Sequence, residues 1–194
     1  MNRPPGALSW SRSGLPHLFA WLAFVAALLQ VEVGAAQGMS GAADEVKAAY
    51  LYKFVSYIDW PEAAFSGADD PLVIGVAGAD GVYAELSRVL VGRSAHGRPL
   101  QARRVLPGDP VERVQMLYVG DLDLARSPWA QRLRDRPVLL VTESPGGLDA
   151  GGALSFVLVQ DRLRFEASLR AIDRAGLKVS SRLLALAQRV VPAP

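Results

Sequence analysis

Apolar side chains recur at helical spacing at Val46, Ala49, Tyr50, Phe54, Tyr57 and Ile58, with Asp44 placed to cap the start and Pro61 to stop the run. This pattern predicts an amphipathic helix from Asp44 to about Asp59, with that stripe packed on a core. Apolar strand patterns follow at Leu72 to Ala77, Leu100 to Val105, Met116 to Val119 and Pro137 to Thr142. A helix is expected between the first two, at Val82 to Val91, and a short one opened by Ser127 with Pro128 at its first position. A helix lying between two strands favours a crossover connection and a largely parallel sheet.

The C-terminal third reads differently. Ala153 to Val159 and Arg162 to Ala167 are separated only by Gln160-Asp161, the signature of an antiparallel hairpin. Strand alternation puts Leu154, Phe156 and Leu158 on one face with Leu163 and Phe165, and turns Arg162, Arg164 and Glu166 to solvent. Ser168 then caps a helix from Leu169 to Ala175, Gly176 supplies a left-handed stop, and Ser180 or Ser181 opens a last helix. Leu183, Leu184, Leu186 and Ala187 form the buried stripe of that helix. The expected fold is α/β: a single-domain sandwich with a mixed, mostly parallel sheet, a C-terminal antiparallel hairpin and flanking helices.

The first 36 residues read as an export signal and not as part of the fold. Arg3 and Arg12 give a positive start, Leu18 to Leu29 is unbroken apolar, and Val33-Gly34-Ala35-Ala36 offers small residues for cleavage. A bilayer span needs about 20 apolar residues, and Gln30 and Glu32 interrupt this one. The expected organisation is a cleaved signal over 1–36, a flexible mature N-terminus over 37–45 and a folded domain over 46–191.

Charge and composition then narrow the chemistry. Losing Arg3, Arg12 and Glu32 takes a chain of 21 basic and 19 acidic residues to a net charge of about +1, which argues against nucleic acid as a partner. There is no cysteine, so an exported form has no disulfide and must be held by its core. Gly75, Gly78 and Gly81 lie between a strand and a helix, but the spacing G-x-x-G-x-x-G is not the dinucleotide-binding pattern, and the next strand ends near Arg103-Arg104 where an acid is needed. His96 is the one mature histidine, too little for a zinc site or, without a G-x-S-x-G turn, for a serine hydrolase. Its loop reads as a turn, with Arg93 and Arg98 as the alternative anion binders. Asp69-Asp70 and Asp121/Asp123 read as turn residues, the latter pair standing at the carboxyl end of a strand where small ligands bind in α/β sheets. No catalytic, cofactor or metal site is expected.

Two blocks carry a family resemblance. One is VKAAYLYKFVSYIDWP at 46–61. The other runs through Gly151-Gly152, Phe156, Phe165-Glu166, Gly176-Leu177, Ser180-Ser181, Leu183-Leu184 and Ala187. In that order and spacing the chain resembles the YfiR-type periplasmic regulator family over nearly all of its length after residue 45. The resemblance implies an α/β sandwich, a periplasmic location and a regulatory binding role without catalysis: repression of an inner-membrane diguanylate cyclase through that enzyme's periplasmic domain, lowering cyclic di-GMP and biofilm formation. The alternative is an accessory or solute-sensing subunit of a sensor kinase or outer-membrane receptor system. A homodimer is compatible with either. The expected partner-binding residues are Leu154, Glu166 and Ile172. Two departures stand out: the cysteine often found before the third strand is missing from Gln115 to Tyr118, and Ser168 stands where the family usually has asparagine.

Export predicts that the protein recovered from the cell envelope begins at or within a residue of Gln37. N-terminal sequencing checks this, and full-length chain in the cytoplasm would refute it.

Overall fold

The computed structural model describes residues 40–120 and 122–193. It opens with helix α1 over residues 40–55, followed by β1 (Ile58–Asp59) and a 3₁₀ turn at Glu62–Ala64. The middle holds β2 (Leu72–Ala77), α2 (Asp80–Val89), β3 (Ser94–Ala95), β4 (Arg98–Arg104) and β5 (Met116–Val119). A 3₁₀ turn at Leu124–Arg126, α3 (Trp129–Arg132) and β6 (Leu139–Thr142) follow. The end holds β7 (Leu154–Val159), β8 (Arg162–Ser168), α4 (Leu169–Arg174), β9 (Lys178–Val179), α5 (Ser181–Leu186) and β10 (Arg189–Val191).

The main sheet has eight strands in the order β10-β8-β7-β6-β5-β2-β4-β3. Its centre, β4-β2-β5-β6-β7, is parallel throughout; β8 turns back antiparallel to β7, and β10 lies parallel to β8. Parallel strands must be covered on both faces. Accordingly all residues of β2, β5 and β6 are buried. Ala48, Leu51, Phe54, Val55 and Ile58 from α1 and β1, with Val82 and Leu86 of α2, Ile172 of α4 and Leu183 of α5, pack one face. Leu124, Trp129 and Leu133 pack the other, against Leu117, Val119 and Leu140. From Ala42 onward the chain forms one compact unit, the mixed, mostly parallel α/β architecture that its periodicity predicts.

The departures have local causes. Helix α1 already includes residues 40–45 and ends at 55, so Asp44 is an interior residue lying against Gly81 of α2 and not a cap. Its buried stripe is Ala48, Leu51, Phe54 and Val55; of the predicted stripe, Phe54 and Ile58 are buried and Tyr50 and Tyr57 pack against the core, whereas Val46 and Ala49 are exposed. After 55 the chain leaves the helix to make β1, which pairs antiparallel with β9 through Ile58↔Val179 and Asp59↔Lys178. The last helix stops at Leu186, which is exposed, because Gln188 N donates to Phe165 O and starts β10 alongside β8. Leu158 is exposed too: β7 outruns β6, so the tip of the hairpin projects beyond the core.

The hairpin is fixed to the rest by aromatic packing. Phe54 lies 5.1 Å from Phe165 and 5.8 Å from Phe156, ring centroid to centroid, and Tyr50 meets both from the neighbouring turn of α1. The Tyr50 hydroxyl donates to Leu163 O at 3.3 Å. Gln115 closes the opposite end of the sheet. Its side chain accepts from Val73 N and donates to Ala64 O, and its backbone oxygen accepts from Trp60 Nε1.

Phe54→Ala should therefore destabilise the fold by about 3–5 kcal/mol, lowering the thermal midpoint by roughly 2–4 °C per kcal/mol for a domain of this size. Leu158→Ala should change stability by less than about 0.5 kcal/mol. Parallel thermal and urea melts compare the two, and equal costs would mean that the tip is part of the core.

Candidate functional site

A concavity of about 1090 Å³ opens where β7 and β8 pass the carboxyl end of β6. One wall is the first two turns of α1, with Ala42, Ala43, Val46 and Lys47; another is the segment 143–149, and the floor is β7 from Ser155 to Leu158. The loop is compact for a steric reason. A Cβ on Gly147 would run into the Thr142 side chain and stand 2.9 Å from Ser144 O, so only glycine lets the chain fold back over the strand end. Ser144 fastens its start, with its hydroxyl 3.1 Å from Thr142 Oγ1 and its amide donating to that same atom.

Two ion pairs frame the opening. Lys47 Nζ is 2.6 Å from Glu143 Oε2, joining α1 to the end of β6. On β8, Glu166 accepts two hydrogen bonds from Arg189, Nε at 3.0 Å and Nη2 at 2.6 Å, a planar fork made possible because β8 and β10 place the two residues in register. These hydrogen bonds, then the carboxylate's charge, raise the Arg189 pKa above its ordinary value, and Asp149 adds to the effect. The remaining carboxylates on the lining, Asp123, Asp149 and Asp161, form no ion pair with another of the described residues. Its charge is negative beside an apolar floor.

The three expected contact residues do not share a surface. Leu154 is fully buried and Ile172 is 1% exposed, both in the core cluster beneath α1 and α4. Alternation puts Leu154 on the inner face of β7, and the apolar side of α4 must turn inward. Glu166 alone reaches the opening, with its side chain 18% exposed and occupied by Arg189. Any part played by the other two in binding runs through the packing that supports β7 and β8. Arg162 and Arg164 are exposed as alternation predicts.

Sequence reasoning did not single out Lys47, Glu143 or Arg189. The signal available was the Pro145-Gly146-Gly147 run after a buried strand; Arg189 carried none, because it depends on β10.

The other candidates resolve into structure. Gly78 has a φ of 68° and Leu122 sits directly over it, filling the space a phosphate would need. His96 Nε2 bonds Val55 O at 2.8 Å, tying the β3–β4 turn to the end of α1, with Asp59 3.9 Å from its other nitrogen. Arg98 donates to Gly67 O and Asp70 O and lies 3.8 Å over the Phe65 ring. Arg93 lies 5.8 Å over Tyr52. Asp70 accepts from Ser66 N and Gly67 N, and Asp123 from Ala125 N, both as turn residues; Asp121 lies outside the described residues. No group of three metal-ligating side chains occurs among the described residues.

No helix among the described residues is long and apolar enough to cross a membrane, and the predicted export signal lies outside them. No curated protein matches this chain. The profile of the YfiR/HmsC-like family matches residues 44–188, from the second turn of α1 through α5 to the residue before β10, and on that extent the chain belongs to the YfiR/HmsC-like family.

Proposed function

We propose that this protein is a periplasmic regulator that represses an inner-membrane diguanylate cyclase by binding the enzyme's periplasmic domain, so lowering cyclic di-GMP and biofilm formation. The family match over residues 44–188 carries this reading. The structure supports it through what it offers for recognition: a wide, apolar, acid-rimmed opening, and a histidine and arginines already committed to the fold. The physical demand is small. A protein that prefers the cyclase's inactive state by about 1–3 kcal/mol changes its output by about 5- to 150-fold.

Deleting the gene should raise cyclic di-GMP and surface attachment, and an exported copy should reverse both, whereas a copy lacking residues 1–36 should not. Unchanged cyclic di-GMP in a strain with an active periplasm-sensing cyclase would refute the reading and favour the kinase- or receptor-accessory role.

Glu166 is the residue we place at the partner. Glu166→Arg sets two guanidinium groups against each other, and because the Arg189 side chain is 59% exposed and can swing into solvent, loss of the pair should cost little stability. The variant should fold but repress poorly. The double variant Glu166→Arg, Arg189→Glu restores the pair with reversed polarity, so it should recover the melting midpoint and not the repression. Recovery of both would assign Glu166 to the fold.

A further inference from the structure

The floor of the opening is a strand with a free edge. β6 pairs with β7 only at Leu154 and Ser155, and among the described residues no other strand continues beside Phe156 to Val159. The two-residue turn at Gln160-Asp161, with φ of 50° and 58°, closes on a hydrogen-bonded pair, Val159 with Arg162. Odd-numbered residues of β7 therefore exchange bonds with β8. Even-numbered ones turn their N–H and C=O the other way. At Leu158 both groups point along the sheet into the opening.

The surroundings fit one kind of occupant. Leu158 is 76% exposed and Val46, on the facing wall, 44%, although both are large and apolar. Leu163 and Phe156 continue this apolar side. On the opposite side of the strand, Ser155 and Val157 pair with Glu166, already bridged to Arg189, and with Arg164, while Asp149 and Asp161 line the opening beside them. A strand laid in register would therefore meet apolar side chains on one face, within a lining that as a whole carries more carboxylates than basic groups. Native edges as open as this are usually blunted by lysine, proline or a bulge, and none of these occurs from Phe156 to Val159.

We propose that this edge captures an extended polypeptide segment of the partner protein, alternating apolar and basic residues, which adds as a strand beside β7. The segment's backbone bonds the Leu158 N–H and C=O, its apolar residues cover Leu158 and Val46, and its basic residues face Asp149 and Asp161. This rests on the reading of the chain as a binding regulator and specifies how its opening is used.

The test uses the exported chain with acetyl-Lys-Val-Lys-Val-Lys-Val-amide as probe, read by residue-resolved amide hydrogen exchange and by titration. The Leu158 amide should exchange freely in the free protein and slow by about tenfold or more with the peptide. Leu158→Pro, which deletes that N–H without touching a bond to β8, should bind about tenfold more weakly than Leu158→Ala, the expected effect of leaving one buried hydrogen bond unmade. The glutamate counterpart of the peptide should bind more weakly still. Binding that leaves Leu158 exchange unchanged, equal affinities for the two variants, or no binding by the probe overturns strand addition. Protection that appears without peptide and rises with protein concentration overturns it in favour of a second copy. Leu158→Pro that still lowers cyclic di-GMP when exported would sink this inference and leave the regulator reading standing. A protected Leu158 with no cyclic di-GMP effect on gene deletion would do the reverse.

Discussion

The contact between Phe54 and the Phe156/Phe165 pair is what the C-terminal half depends on. β7 shares only two residues of register with β6, too few to hold a hairpin to a sheet. The hairpin is placed mainly by its aromatic underside on α1, reinforced by the Tyr50 hydroxyl on Leu163 O. An aromatic pair contributes about 0.5–1.5 kcal/mol beyond the area it buries. This cluster also touches Tyr118 on β5 through Phe156, so the same rings that hold the hairpin reach the centre of the parallel sheet.

Placing the hairpin in this way creates the opening. If β6 were as long as β7, its residues would occupy the edge that now faces solvent. Instead the chain leaves β6 at Thr142 and folds back through a glycine-rich loop fastened by Ser144. Lys47 then reaches across from α1 to Glu143 and joins two walls that no backbone hydrogen bond connects.

Much of this was legible in the sequence wherever the signal was local. The two-residue turn at Gln160-Asp161, the Ser168 cap and the Gly176 stop each rest on residues within a few positions of one another, and each stands where the pattern puts it. The central strands were equally plain, because burial on both faces leaves short unbroken apolar runs. What was not legible came from distant partners. β1 exists because β9 lies beside it, and β10 because β8 offers an edge. In and just after α1 the apolar spacing picks out Tyr50, Phe54, Tyr57 and Ile58, which do pack on the core, but also the exposed Val46 and Ala49, and only the sheet beneath the helix selects Leu51 and Val55. For the candidate site, Glu166 was visible in its Phe165-Glu166 pair. Its partner was not, since 23 residues separate it from Arg189 and the two meet only once the last strand docks.

That last strand has three residues, Arg189 to Val191, and it lies at the margin of the sheet close to the chain end. It is joined to the sheet through three register pairs with β8. Through this strand Glu166 is a carboxylate balanced by a guanidinium and held by two hydrogen bonds at the mouth of the opening. The charge that the opening presents at Glu166 is thus set by the pairing of a three-residue edge strand more than twenty positions further along the chain.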